Sequence, residues 1–115
     1  MSIDWGQFDE VGSTELVISH AIECGAKDVH IVTSQKGADI FFVCDDTIEY
    51  FCSVPESTRE QLFQYARLLA TIDPYRSLPQ CGYCNYRDNG AEFNLTIELS
   101  AASNGVNLCI SICPL

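Results

Sequence analysis

The sequence predicts a single α+β domain in which two helices cover one face of a mainly antiparallel sheet. Two segments have the apolar periodicity of amphipathic helices, and the last two expected strands alternate strictly between apolar and polar residues. The segments follow the order helix, three strands, helix, three strands, which is typical of a two-layer α+β domain. With 115 residues, 47% of them hydrophobic, the chain is large and apolar enough to bury one core.

The N-terminal segment 1–12 is polar and acidic, and we expect it to form a loose arm before a domain spanning residues 13–115. Ser13 or Thr14 is the expected N-cap of the first helix. Four apolar residues then fall on one helical face: Val17, Ile18, Ala21 and Ile22. Gly25 is expected to end this helix, because glycine readily adopts the left-handed conformation of a C-terminal cap.

Three strands are expected between the helices, at residues 28–32, 40–44 and 48–52. The middle segment is a continuous apolar run from Ile40 to Cys44, a pattern typical of a central strand covered on both faces. Asp45 and Asp46 are expected to form the turn after it, because Asp side chains bind their own backbone in turns.

The second helix is expected to begin at Ser53 or Ser57, each followed by Glu three residues later as in a capping box. It is expected to end at Asp73, since the residue before a proline avoids the helical region. Its apolar stripe consists of Leu62, Phe63, Ala66, Leu69 and Ala70.

The C-terminal part predicts a short strand at residues 81–86 and a long antiparallel hairpin over 93–99 and 106–112. One face of the hairpin is apolar and is expected to face the core. The opposite face is polar and includes Asn94, Thr96, Glu98, Asn107 and Ser111.

The charge of the chain limits the class of partner. Sixteen acidic and six basic residues give a formal net charge of −10. A chain this acidic is repelled by phosphate backbones and anionic lipid, so nucleic acid and membrane insertion are not expected. A basic protein surface is the expected partner, and the alternative is that the charge only keeps the domain soluble.

The cellular location follows from the N-terminus and the hydropathy. Met1 to Gly6 lacks the basic start and apolar run of a signal peptide, and no stretch approaches the length of a membrane span. We therefore expect a cytoplasmic protein, in which seven cysteines are reduced and act as small apolar residues.

The motifs that carry catalysis or cofactor binding are sparse. The chain has no Gly-rich phosphate loop, so neither an ATP site of that kind nor another cofactor is expected. Cys81 and Cys84 have C-x-x-C spacing, and we expect them to be two buried or half-buried thiols on one strand, with a zinc site and a redox pair as the alternatives. His20 and His30 are expected to be structural, and we expect no enzymatic activity.

Several segments resemble, in order, the domain that precedes the motor domain in type II secretion and type IV pilus assembly ATPases. Residues 25–31 (GAKDVHI) are similar to the family's GASDIHI signature, and residues 44–46 fall where the family has RIDG. Residues 69–73 (LATID) and 78–82 (LPQCG) are similar to its LAxMD and LPQDG segments. The resemblance covers about residues 14–113 and implies a PAS-like two-layer fold.

The chain departs from this family where nucleotide is bound. In the family, arginines of this domain reach the nucleotide on a neighbouring motor domain, which this chain lacks. The matching positions hold Phe41 and Val43 (Phe42 and Cys44 if that strand is aligned one residue later), Thr96 and Ser111. Arg76 is the one arginine that corresponds, and phosphate recognition depends on such charge-assisted contacts.

The resemblance therefore implies a non-catalytic interaction module of a bacterial secretion or type IV pilus system that docks on an assembly ATPase or its membrane platform. The chain is either free-standing, which the missing arginines favour, or a fragment of a longer protein. The expected contact residues are the polar strand positions named above, together with Arg76. One alternative is an accessory domain that uses Arg76 to modulate a partner ATPase in trans. Another is a PAS-like small-molecule sensor, although large aromatic residues are expected to fill the space between the layers.

Overall fold

The helices and strands follow the expected class but begin with one additional short turn. The structure is a computed structural model, and it describes residues 3–115. A 3₁₀ helix at Trp5–Gln7 precedes α1, so the element order differs in this respect from the expected pattern. The elements are α1 (Glu10–Glu23), β1 (Asp28–Ser34), β2 (Gly37–Cys44), β3 (Thr47–Pro55), α2 (Glu56–Leu69), β4 (Gln80–Asp88), β5 (Ala91–Ala102) and β6 (Gly105–Pro114).

The six strands form one antiparallel sheet in the order β3-β2-β1-β6-β5-β4. Two three-stranded meanders therefore meet at the sheet centre, where β1 pairs with β6. The helices pack against each other and against the sheet. Ile18 of α1 and Leu62 of α2 are almost fully buried, as are Ile31, Ile97 and Ile110 of the sheet. This interface is the hydrophobic core, and its burial is the main favourable term in folding.

The first helix begins at Glu10, and its N-cap lies four residues before the earliest expected cap, Ser13. Its N-cap is Asp9, whose carboxylate accepts a hydrogen bond from the Gly12 N–H at 2.7 Å. The hydroxyls that were expected to cap lie inside the helix and are buried: Ser13 donates to Gln61 Oε1 at 3.2 Å, and Thr14 donates to the Glu10 carbonyl at 2.9 Å. The cap prediction was wrong because Asp, Ser and Thr are all good caps and occur close together here.

The expectation of a loose arm over residues 1–12 is corrected for residues 5–12. Trp5 is only 7% exposed and joins the core, and its ring lies 6.1 Å from that of Phe8. A buried indole contributes a large apolar surface, which holds this segment on the domain. Met1 and Ser2 lie outside the described residues.

Both helices end in the same hydrogen-bond motif. At the end of α1, Gly25 has φ +71° and the Ala26 N–H donates to the Ala21 carbonyl at 2.9 Å, which confirms the expected stop. At the end of α2, Thr71 takes the left-handed position with φ +54°. The Ile72 N–H donates to the Arg67 carbonyl at 2.9 Å, so α2 ends at Leu69, before the expected Asp73.

The start of α2 was also predicted incorrectly. Its N-cap is Pro55, which makes no side-chain cap, and Ser57 lies within the helix. The Ser53 hydroxyl donates to Asp39 of the neighbouring strand. Ser53 is therefore a strand residue, and its distance in sequence from Glu56 matched the capping box by coincidence.

None of the helices within residues 3–115 has the length and apolar character needed to cross a membrane.

The buried thiol of Cys52 leads to a pH prediction. Cys52 lies in β3 facing the helices, and burial raises its pKa from 9.0 to about 11. A raised pKa means that the folded state favours the neutral thiol over the thiolate. The stabilisation that results is complete below pH 9 and is lost as the pH rises from 9 to 11. We expect wild type to lose about 2 kcal/mol of unfolding free energy over this range beyond what Cys52→Ala loses, as measured by urea denaturation in reductant. Parallel pH profiles for the two proteins would contradict this.

Candidate interaction face of the sheet

The helices cover one face of the sheet and leave the other open. Successive strand residues point to opposite faces, so the buried residues Val29 and Ile31 of β1 lie toward the helices, whereas His30 points away. The same alternation occurs in β2, where Ile40 and Phe42 are buried and Phe41 is only half-buried. We call the side opposite the helices the open face.

The apolar run of β2 is therefore covered on one side only. Phe41 and Val43 lie on the open face and are partly exposed, which corrects the expectation that residues 40–44 are covered on both faces. An apolar run fits either one covered face or two, and the alternation in burial decides between them. Phe41 also lies outside the space between the layers that it was expected to fill.

The register places residues from all six strands in one row across the open face. Each pair of neighbours in the row is directly opposite in the sheet, so their Cβ atoms lie roughly 5 Å apart. Reading from edge to edge, the row consists of Ile48, Val43, Asp28, Ser111, Thr96 and Tyr83. Its ends are well exposed, since Ile48 is 72% and Tyr83 is 75% exposed.

Five of the six candidate residues lie on this face, in β5 and β6. Thr96 is opposite Ser111, and Glu98 is opposite Cys109. Asn94 and Glu98 are exposed, whereas Ser111 and Asn107 are hydrogen-bonded to strand β1. The Ser111 hydroxyl donates to Asp28 Oδ1 at 2.6 Å, and Asn107 Oδ1 accepts from the Thr33 N–H at 2.9 Å.

Asn107 therefore has a structural task. The pairing of β1 with β6 ends at Ile31 and Leu108, which leaves the next backbone donor of β1 without a strand partner. The amide oxygen of Asn107 accepts from that donor, the N–H of Thr33. A buried backbone donor without a partner is costly, so we assign Asn107 to the fold and regard Thr96, Glu98 and Asn94 as the better contact candidates.

Arg76, the sixth candidate, lies in the loop between α2 and β4 and not on the strands of the open face. It lines a cleft of about 320 Å³ together with Thr71, Asp73 and Gln80. Among residues 3–115, no ion pair involves its guanidinium, and the residue is exposed. This position leaves the guanidinium accessible to another molecule.

The side chain of Gln80 holds that loop in place. Gln80 is 4% exposed, and its amide nitrogen donates to the backbone carbonyls of Arg76 at 2.8 Å and Asp73 at 3.3 Å. Its amide oxygen accepts from Arg67 Nε at 3.2 Å. One buried amide thus links the end of α2 to the loop that carries Arg76.

The two cysteines of the C-x-x-C sequence point to opposite faces of the sheet. They are three residues apart in β4, and an odd separation in a strand places side chains on different faces. Cys81 is exposed on the open face, whereas Cys84 packs against the core. This geometry favours neither a shared zinc ion nor a disulfide, and it corrects the expectation that both thiols are at least half-buried.

The histidines have different surroundings. The ring of His20 packs at a tilt against the ring of Phe51 with centroids 5.2 Å apart, as expected for a structural residue. His30 Nε2 lies on the open face 3.8 Å from Cys109 Sγ. Burial and the nearby carboxylate of Asp28 raise the pKa of Cys109, so its reactive thiolate is disfavoured and this pair is a poor nucleophile.

Asp45 and Asp46 form the expected turn between β2 and β3. Asp45 Oδ1 accepts from Lys27 Nζ at 2.8 Å, and this hydrogen bond lowers the pKa of Asp45. The side chains of Lys27 and Asp45 are both largely exposed, so this ion pair contributes little to the stability of the fold. Within residues 3–115, no group of three or more metal-ligating side chains is close enough to hold a metal ion.

Sequence reasoning missed the exposed apolar residues at the β3 edge of the open face. Ile48 and Tyr50 of edge strand β3 lie opposite Val43 and Phe41 of β2. Their orientation depends on an irregularity in the β2–β3 pairing between Ile40 and Phe41, where Phe51 is left without an opposite residue. The one signal available in the sequence was the alternation of apolar, polar and apolar residues over 48–50, which the apolar composition of the segment obscured.

No protein-family model matches this chain, and no curated protein matches it.

Proposed function

We propose that this chain is a non-catalytic docking module of a bacterial secretion or type IV pilus system, which binds an assembly ATPase or its membrane platform in the cytoplasm. The observation that carries this proposal is the open face itself. Apolar side chains on a sheet are usually covered by another layer of the protein. Here no element of residues 3–115 covers the open face, although it carries four apolar side chains: Phe41, Val43, Ile48 and Tyr50.

The resemblance to the assembly ATPases supports the same face. The positions that match the family's nucleotide-contacting arginines lie in strands β2, β5 and β6. All of them are on the open face: Phe41, Val43, Thr96 and Ser111. The alternative alignment is disfavoured because Phe42 is buried beneath the helices, where an arginine could not reach a second molecule. The module would thus keep the orientation of the family's contact face and replace its chemistry.

The substitutions explain why a protein is a better occupant than a nucleotide. Phe, Val, Thr and Ser provide no charge for phosphate, and the chain carries a net charge of −10. Two helices on one face of a six-stranded antiparallel sheet are compatible with the PAS-like layer that the resemblance implies, which supports the proposal. Because Ile18, Leu62 and Ile97 fill the space between the layers, a ligand-holding sensor is less favoured.

A second candidate function depends on Arg76. Its exposed guanidinium and the cleft beside it are suited to an accessory contact with a partner ATPase in trans. This candidate places the contact at the loop end of the molecule, whereas docking places it on the open face. The two candidate functions can therefore be distinguished by substitutions at different positions, one set on the open face and one at Arg76.

Direct binding tests the docking proposal. The purified chain is titrated against the assembly ATPases and the cytoplasmic platform domains encoded in the same genome. We expect saturable binding to at least one of them, weakened about tenfold or more by Ser111→Arg, because Ser111 lies in the central strand β6 of the open face. Gln64→Arg is the matched control, since Gln64 is exposed on α2 and away from this face.

Two results would overturn the docking proposal. One is the absence of binding to every such component, and the other is equal weakening by the Ser111 and Gln64 substitutions. Tight ATP binding by the isolated chain would count against the non-catalytic assignment. If the chain instead changes the hydrolysis rate of a bound ATPase and Arg76→Ala abolishes that change, the second candidate replaces the first.

A further inference from the structure

The open face has two halves of different chemistry. In β4, β5 and β6 it presents mostly polar and small side chains such as Asn94, Thr96 and Ser111, with Tyr83 on edge strand β4 as the large exception. In β1, β2 and β3 it presents a group of apolar side chains that we call the apolar half: Val32, Phe41, Val43, Ile48 and Tyr50.

The apolar half is continuous and accessible. The rings of Phe41 and Tyr50 pack edge to face with centroids 5.8 Å apart, and Ile48 lies opposite Val43. A groove of about 250 Å³ runs between the strands and is lined by apolar residues together with His30. Ile48 is 72% exposed and Tyr50 is 59% exposed. A solvated sheet face is normally polar, so a contiguous apolar group indicates an interaction site.

Negative charge surrounds the apolar half. Between residues 28 and 55 the only lysine or arginine is Lys36. The same stretch contains five carboxylates: Asp28 and Asp39 on the open face, Asp45 and Asp46 in the turn after β2, and Glu49, which points to the helix side of edge strand β3. Lys27, just outside this stretch, is already engaged by Asp45 at 2.8 Å. The field around the groove is therefore acidic.

This charge decides which occupant fits. A second copy of the chain would bring the same carboxylates and another net charge of −10, and like charges across an interface are unfavourable. Nucleic acid and anionic lipid are repelled for the same reason. A protein surface with Lys and Arg around an apolar centre matches both the groove and its rim.

We propose that the apolar half is the docking surface for a partner protein whose contact patch has an aliphatic or aromatic centre surrounded by lysine and arginine. The inference rests on the proposed docking function and assigns it a location and a partner chemistry. Strands β4 and β5 are then the periphery of the contact, where side chains such as Glu98 set orientation more than affinity, whereas Ser111 of β6 lies opposite Asp28 of β1 and borders the apolar half.

Site-specific photo-crosslinking tests this inference in the full chain. p-Benzoylphenylalanine replaces either Ile48 or Tyr83, which are the opposite ends of one row on the open face and are almost equally exposed. Each protein is expressed in the native host, irradiated, and its adducts are identified by mass spectrometry. We expect about tenfold more adduct from position 48, formed with a segment rich in Lys and Arg. The adduct yield in lysate should fall as NaCl is raised from about 50 to 500 mM.

Each other outcome overturns the inference: no adduct from position 48, an equal or larger yield from position 83, an adduct with a second copy of the chain, or an adduct with an acidic segment. The proposed function fails separately. A basic partner outside any secretion or pilus system, captured from position 48, would retain this inference and reject that function. An assembly ATPase captured only from position 83 would do the reverse.

Discussion

Gly37→Ala is expected to destabilise the domain by about 4 kcal/mol or more, which is a large fraction of the roughly 5–15 kcal/mol of a typical small domain. Gly37 is the first residue of β2 and has φ +153°, a conformation that residues with side chains rarely adopt. An added Cβ would lie 2.0 Å from the Val54 carbonyl oxygen and 2.7 Å from the Pro55 carbonyl carbon. Both contacts are with backbone, so no side-chain rotation relieves them.

The position also explains why the damage should spread. The Gly37 carbonyl accepts from Arg59 of α2 at 3.1 Å, and Gly37 lies opposite Pro55 at the end of β3. One residue thus joins β2, the end of β3 and the first turn of α2. Moving the backbone to accommodate a methyl group would disturb all three elements at once.

Gly90→Ala is the matched control for this prediction. Gly90 also has a positive φ, +80°, but a Cβ added there would meet nothing within 4 Å. Only the cost of the left-handed conformation remains, about 1 kcal/mol. Urea denaturation followed by circular dichroism measures both variants. Similar losses for Gly37→Ala and Gly90→Ala would show that the close approach at Gly37 carries no energetic weight.

The sequence predicted the parts of the fold that depend on periodicity. The stripe of α2 and the alternation of β5 and β6 were predicted because burial of one face imposes a period of 3.6 or 2 on the residues. Leu95, Ile97 and Leu99 are fully buried as that alternation required. Helix starts were not predicted, since several cap-competent residues lie within a few positions and only the hydrogen-bond geometry selects Asp9.

The open face was predicted only in part, for a reason that lies in register. Thr96 and Ser111 were assigned to it because their own strands alternate clearly. Phe41 and Ile48 were not, because an apolar residue on a strand signals burial and carries no information about which face is covered. Which face is covered depends on where the two helices pack, and which face a residue of β3 points to depends on the irregular β2–β3 pairing at Phe41. Both are properties of the assembled sheet.

The segments that resemble the assembly ATPases divide into two groups when they are placed on the structure. Gly25 and Gln80 match the family, and both have structural roles in the backbone. Gly25 caps the end of α1, and Gln80 is hydrogen-bonded to the loop before β4. A third match, Gly82, lies where an added Cβ would be 2.8 Å from the Ala70 carbonyl oxygen. The positions that depart from the family lie on the open face. The proposed change of partner would produce this division between matching backbone-holding residues and differing residues on the open face.

Gln80→Met should cost about 2 kcal/mol, although methionine has a similar length and is more apolar. The amide of Gln80 satisfies two backbone carbonyls and one guanidinium nitrogen inside a site that is 4% exposed. A thioether donates nothing, so the carbonyls of Asp73 and Arg76 lose their partner while the added apolar contact offsets only part of the loss. Hydrogen exchange of residues 73–80 should rise accordingly.

The control for this prediction is Gln64→Met, the same substitution on the exposed surface of α2, which should change the unfolding free energy by less than about 0.5 kcal/mol. If the two variants are equally stable, the amide of Gln80 is not what fixes the loop. The result also bears on Arg76, because Gln80 is hydrogen-bonded to its backbone. A trans contact through Arg76 requires an ordered loop and should weaken in Gln80→Met, whereas binding through the open face should not, since that face is built on strand register and is independent of this amide.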